Sequence, residues 1–284
     1  MQRGNCMNSS YLLLAISLLF LNNSEQIQAK TTQKKLRLDR VILATNENSE
    51  YLDFWPVAAK AWKEFIGITP TLVVVGNKDL KVNTSLGDVI YFEPIEGLPT
   101  SFQAQIIRLL LPTLFPNDGC IISDIDQIPL SKKYFINSIA NIDEDCFVVY
   151  RELFSRQAEN EFPMCYVAAQ GKIFREIFGV KNMADIREKI TSWGQNEYKL
   201  YQWMTDQKVL YSAVTSWNAW PKKCIRLGHD WIYRKLHDYQ WPVKKQLLKS
   251  YYADASLRKP LKKYRYNKEL LMALALLKQR KNKR

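Results

Sequence analysis

Histidine is scarce in this chain: among 284 residues only His229 and His237 occur. Any step that needs an imidazole base or metal ligand must draw on one of those two. Cysteine is sparse as well. Cys6 lies in an N-terminal apolar segment, and Cys120, Cys146, Cys165 and Cys224 match no zinc spacing. Three of these four adjoin strand-like runs, which predicts small buried hydrophobes; one disulfide of unreadable connectivity stays open in an oxidising compartment. The chain has no internal repeat, no low-complexity tract, and after residue 29 no apolar run approaching the roughly 20 residues that cross a bilayer. What is abundant excludes a mainly disordered chain: 47% of residues are hydrophobic, with 8 Trp, 15 Tyr and 12 Phe.

The formal charge of +13 suggests a nucleic-acid binder until it is located. Residues 258–284 hold 11 Lys or Arg and one acid, net +10, which leaves 30 basic and 27 acidic groups, net +3, in the other 257 residues. Basicity is thus a property of the end segment rather than of a binding face, and nucleic acid is the least favoured partner.

At the N-terminus, Arg3 precedes an apolar stretch of 11 residues, Tyr11–Leu21, followed by polar residues and Ile27-Gln28-Ala29. This pattern predicts a signal peptide over 1–29, with a retained signal anchor as the other reading. It places the remainder in a secretory-pathway lumen or a bacterial envelope or periplasm-type compartment, soluble or membrane-associated. A basic linker spans 30–40, a single α/β domain 41–257, and a basic amphipathic helix 258–284. The two readings of that last helix are docking on the domain and attachment to an anionic membrane surface.

Within the domain, Val41–Thr45 reads as a buried strand, Asn46–Ser49 as loop and cap chemistry, and Glu50 to about Ile66 as a helix. Strands over 71–75 and 88–92 follow, then a helix over about 101–115. Strands at 146–150 and 164–169 and helices starting near Lys172 and Thr205 continue the rhythm. Alternation at about 30 residues per unit predicts an α/β fold with a mostly parallel mixed sheet and flanking helices.

The most informative segment is Gly119-Cys-Ile-Ile-Ser-Asp-Ile-Asp-Gln-Ile-Pro-Leu130. An apolar strand breaks into Asp124-Ile-Asp126 and a turn. Ligands of open α/β sheets sit just beyond the carboxyl ends of strands. Two carboxylates there repel unless a cation lies nearby, and hard oxygen ligands suit Mg²⁺ or Mn²⁺, which bridges nucleotide phosphates. Asp143-Glu-Asp145 has the same spacing, but it precedes a strand, so it reads as a solvated acidic turn.

The strand order, the D-x-D after a strand near residue 120 and the Gln103-Ala-Gln-Ile-Ile-Arg108-Leu-Leu helix before it resemble GT-A-fold glycosyltransferases. The nearest likeness is to the group of glycogenin and the bacterial lipopolysaccharide galactosyltransferases, over roughly residues 38–230. The resemblance implies a Rossmann-like GT-A domain and a metal-dependent transfer of a hexose from a UDP- or GDP-sugar to a hydroxyl on a glycan, lipid or protein. It leans towards retention of configuration. It points to Thr45 and Asn46 for the nucleoside, Arg108 for the sugar-nucleotide, and Asp124 and Asp126 for metal, ribose and diphosphate. The Phe162–Gln170 strand is similar to one that lines the acceptor pocket, and Asp206-Gln207 to a pair that follows it. Asp206 is therefore the catalytic candidate, orienting an acceptor hydroxyl or stabilising oxocarbenium-like charge; its alternative is a first-turn helix acid. His229, after Cys224–Gly228, is the candidate third metal ligand. The group's closing His-x-x-Gly-x-x-Lys-Pro-Trp motif is absent, although Arg258-Lys-Pro260 lies nearby. That absence favours a rival reading as a non-catalytic GT-A-like protein that binds glycan or a partner.

Overall fold

The structure, a computed structural model, describes residues 33–151, 160–228, 234–236 and 252–281. The predicted signal segment and both histidines lie outside these residues.

The apolar runs become strands of a seven-stranded mixed sheet: β1 (Arg40–Asn46), β2 (Thr69–Val75), β3 (Asp88–Phe92), β4 (Gly119–Ser123), β6 (Phe147–Val149), β7 (Tyr166–Gln170) and β8 (Cys224–Arg226). Its order is β3-β2-β1-β4-β7-β6-β8, with β7 antiparallel to both β4 and β6 and the other pairs parallel. β2 and β4 have no solvent-facing side apart from the first residue of β2, which explains their unbroken apolar character. A second sheet of three strands, β5 (Gln127–Pro129), β10 (Tyr252–Ser256) and β9 (Arg234–Leu236), takes the order β5-β10-β9.

The predicted helix over Glu50–Ile66 is broken. Pro56 starts α1 (Trp55–Ala61), which is preceded by a single turn at Ser49–Leu52 and followed by a π-helical turn that Gly67 ends in the left-handed region at φ 91°. Proline is suited to a first helical turn, since its missing N–H is unneeded there, but not to the middle of a helix. Proline also shortens the next helix: α2 (Thr100–Leu110) gives way at Pro112 to a 3₁₀ turn over Leu111–Leu114. The second half adds α3 (Gly171–Phe178), α4 (Met183–Gln195) and α5 (Thr205–Thr215), all on one side of the sheet with α2. α6 (Arg265–Lys281) contributes to the opposite core with α1.

Two boundaries read from the sequence carry more structure than expected. In the linker, Leu36 and Leu38 are buried, and the Leu36 amide donates to the Ile142 carbonyl at 2.8 Å. Gly119 is needed beneath it, because a Cβ there would fall 1.7 Å from the Arg37 carbonyl oxygen. At the other end, Tyr266, Leu270, Ala273 and Leu274 bury one face of α6, and Asn267 holds the loop before it by bonds to Arg258 and Leu261. Docking is therefore the reading that fits α6. No helix among the described residues is long and apolar enough to cross a membrane.

A buried polar network joins the two sheets. Arg151, just after β6, pairs with Asp254 of β10 at 2.5 Å, and the Tyr166 hydroxyl of β7 donates to the same carboxylate at 2.7 Å. The guanidinium also lies 5.8 and 5.6 Å from the Tyr134 and Tyr166 ring centres. Cys120 and Cys146 are buried as their strand positions predict, whereas Cys165 and Cys224 are half-buried.

Candidate functional site

β1 pairs with β2 on one side and β4 on the other, so the strand order reverses between β1 and β4. A crevice forms beyond the carboxyl ends of such a pair, because the connecting helices leave on opposite faces. Here it is a cavity of about 430 Å³, within the usual range for small-molecule sites. Five of the residues predicted from sequence line it: Thr45 and Asn46 from the end of β1, Arg108 from α2, and Asp124 and Asp126 from the turn after β4.

The D-x-D turn hangs between the two sheets. β4 ends at Ser123, the Gln127 amide closes the turn onto the Asp124 carbonyl at 3.2 Å, and β5 begins at once. The middle residue, Ile125, is buried, which turns its two neighbours outward to the cavity. The Leu257 amide, at the end of β10, donates to the Asp126 carbonyl at 2.7 Å. The small sheet thereby fixes the position of the carboxylates.

Arg108 is buried between two acids. It pairs with Asp124 through one terminal nitrogen and with Asp206, in the first turn of α5, through the other at 2.8 Å. Burial alone would lower the guanidinium's proton affinity, but the charges of Asp124 and Asp206 outweigh it and leave Arg108 firmly cationic. Asp206 has a side chain only 4% exposed, and its other oxygen accepts from the Gln207 amide at 2.9 Å. Burial raises its pKa, opposed by Arg108. Asp126 is in no described ion pair: burial first, then the charge of Asp124, pushes its pKa up to about 6 against the opposing charges of Lys235 and Arg108.

That carboxylate beside Asp124 fits a divalent cation. Two hard oxygen donors are a partial set for Mg²⁺ or Mn²⁺, ions that commonly complete their shells with phosphate oxygens and water. Among the described residues no group of three His, Cys, Asp or Glu side chains could hold a metal, and His229 falls outside them.

Asn46 spends its amide internally, donating to Thr100 Oγ1 at 3.1 Å and accepting from the Asn48 amide at 3.3 Å. It ties β1 to the start of α2, and the helix cap predicted within Asn46–Ser49 is supplied by Asn48. The Asp143–Asp145 control behaves as a surface turn: Lys35, Lys172 and Lys223 each pair with one of its acids.

Two cavity residues were missed. Lys259 comes from the loop after β10, with its ammonium 4.3 Å from the centre of the Tyr51 ring, and Trp203 stands at the rim before α5. Proximity of Arg258-Lys-Pro260 to a family motif hinted at the first; nothing in the sequence marked the second.

No protein-family model matches the chain, and no curated protein matches it. Among solved structures, the glycosyltransferase GlyE of Streptococcus pneumoniae TIGR4 is 13% identical, with a TM-score of 0.50, and 0.51 for its apo form. The alignment covers 86% of this chain and 62% of that one. The galactosyltransferase LgtC, solved with donor and acceptor sugar analogs, is 12% identical over 83% of this chain and 95% of its own, with a TM-score of 0.48. Sheet order and the GlyE likeness together define the class: the chain has a GT-A-like glycosyltransferase fold.

Proposed function

We propose that the protein is a metal-dependent glycosyltransferase that binds a UDP- or GDP-sugar in the cavity between β1 and β4 and transfers the hexose to a hydroxyl acceptor. The observation that carries this reading is the carboxylate pair Asp124–Asp126 at the mouth of a nucleotide-sized cavity where the strand order reverses. Thr45 and Asn46 border the nucleoside end. Asp124 and Asp126 hold the metal, Mn²⁺ or Mg²⁺, which supplies charge neutralisation to the departing diphosphate. Lys259, exposed and directed at the cavity, adds a second cation for the phosphates.

Asp206 takes a different part from the one its sequence context suggests. Its carboxylate is buried against Arg108, which in turn grips Asp124. It is best read as a positioning residue that fixes Arg108, and through it the first carboxylate of the metal site. The apolar segment Tyr11–Leu21 supports a secretory or envelope location.

Hydrolysis of UDP- and GDP-sugars is the discriminating assay against a non-catalytic binding protein. Slow, Mn²⁺-dependent release of nucleoside diphosphate, abolished by EDTA, is expected. Absence of turnover with every donor, despite metal-dependent nucleotide binding, would favour the binding protein.

A further inference from the structure

Four large hydrophobic side chains stand exposed among the described residues, and three of them fall in one short stretch: Leu200 at 72%, Tyr201 at 39% and Trp203 at 66%. Apolar residues exposed singly are ordinary on a protein surface, whereas a group of them marks a contact. Lys199 and Gln202 are exposed as well, so the whole run 199–203 faces solvent. It comprises the end of the short helix Glu197–Tyr201 and the start of the 3₁₀ turn Gln202–Met204. Gln202 joins the two at φ 47°, in the left-handed region that residues other than glycine rarely occupy. The core gains nothing from this strained turn, which leaves the apolar group in the open.

The group stands beside the nucleotide cavity. Trp203 lines that cavity, and so does Lys259 from the loop after β10, so the apolar run and the loop meet at one mouth. The loop is basic. Arg258, Lys259, Lys262 and Lys263 are exposed, and the Lys263 amide donates to the Pro260 carbonyl at 3.1 Å, which folds the second pair back beside the first. Together with Lys199, these cations outnumber Glu47 and Glu50, the acids that flank Asn48 on the third side of the mouth.

Leucine with tryptophan and tyrosine, next to lysine, has the chemistry of a membrane-interface contact. The amphipathic rings settle at the level of the headgroups, leucine reaches the acyl chains, and ammonium groups stay with anionic phosphates. A protein partner fits less well: three side chains fall far short of the roughly 20–30 residues per side of a stable protein interface, and lysine is depleted there. We infer that the rim formed by residues 199–203 and 258–263 docks on an anionic bilayer. Leu200, Tyr201 and Trp203 enter its interface, and the mouth of the nucleotide cavity turns towards it. The docking surface stands on its own exposure and charge. Only its consequence for the acceptor rests on the glycosyltransferase reading: the hydroxyl that receives the sugar is one carried at the membrane.

The test is quenching of tryptophan fluorescence by phosphatidylcholine–phosphatidylglycerol vesicles with brominated acyl chains, using the full chain without nucleotide. Residues 1–29 contain no tryptophan, so attachment through the apolar N-terminal segment gives no signal. Trp55, Trp62 and Trp217 are buried, Trp193 and Trp220 are half-buried, and Trp203 is the exposed one among the described residues. Wild type should be quenched, and Trp203→Phe, which keeps an apolar ring for docking, should lose the quenching. Leu200→Asp replaces an inserted side chain by a charge and should need about tenfold more lipid for half-maximal quenching. Its melting temperature should stay that of wild type, since Leu200 is exposed, and so should its UDP–Mn²⁺ affinity, since Leu200 does not line the cavity. Reversing the charges of Lys262 and Lys263 to Glu should remove the preference for phosphatidylglycerol. An unquenched wild type, equal quenching in Trp203→Phe or Leu200→Asp, or indifference of wild type to phosphatidylglycerol would each overturn the docking surface. An unquenched dimer that Leu200→Asp makes monomeric would assign the surface to a second copy of the chain instead. Failure of wild type to bind any nucleoside diphosphate would sink the glycosyltransferase reading and its membrane-borne acceptor, and leave the vesicle result standing.

Discussion

Arg108 shows how one side chain serves both folding and chemistry. It sits between Asp124, which opens on the cavity, and Asp206, which is buried. Removing one member of a buried ion pair costs about 3–5 kcal/mol, because the other charge is stranded. Arg108→Met should accordingly lower the melting temperature sharply, and Arg108→Lys less so; an unchanged melting curve for Arg108→Met would contradict the buried pairing. Asp126 behaves in the opposite sense. Its folded pKa of about 6 exceeds the 3.8 of a free carboxyl, so the folded state binds the proton more tightly. Its charge therefore opposes folding above about pH 6, and the penalty fades as pH falls towards 3.8. In metal-free protein Asp126→Asn should raise stability at pH 7.5 by about 1–3 kcal/mol and change little at pH 3.5; thermal melts at the two pH values check this. Asp145→Ala should alter neither nucleotide binding nor, beyond a few tenths of a kcal/mol, stability, since exposed pairs such as that with Lys223 contribute little.

At the level of elements, legibility followed the strength of the local signal. β1 to β4 were readable because each is an apolar run with turn residues at its end, and Asp124 and Asp126 were readable because they interrupt such a run. β5 and β9 are three residues long, too short for any periodicity, so two of the three strands of the small sheet that seats Asp126 left no trace in the sequence. Lys259 and Asp206 reach the site only through tertiary contacts across more than 80 residues of chain. Residues 258–284 were set apart by charge and read as an amphipathic helix, which left docking and membrane attachment both open. The buried face of α6 supplies a direct check. Leu270 is fully buried and Met272 is 69% exposed, so Leu270→Ala should cost about 2–5 kcal/mol in a denaturant titration, and Met272→Ala close to nothing. Equal effects would mean that α6 does not dock as described.

For the whole molecule, the two sheets must keep a fixed relation if Asp124 and Asp126 are to face β1. The buried Arg151–Asp254–Tyr166 network holds that relation. The concentration of charge in one segment keeps the rest of the surface nearly neutral, which suits a sugar-nucleotide enzyme better than a nucleic-acid binder. The central claim is that Asp124 and Asp126 form a metal-dependent nucleoside-diphosphate site, and calorimetric titration of UDP and GDP, with Mn²⁺ and with EDTA, into wild type and Asp126→Ala tests it most directly. The account predicts saturable binding of at least one nucleotide to wild type with Mn²⁺, lost on adding EDTA and lost in the variant. Equal affinity in wild type and Asp126→Ala, or binding indifferent to Mn²⁺, would contradict it.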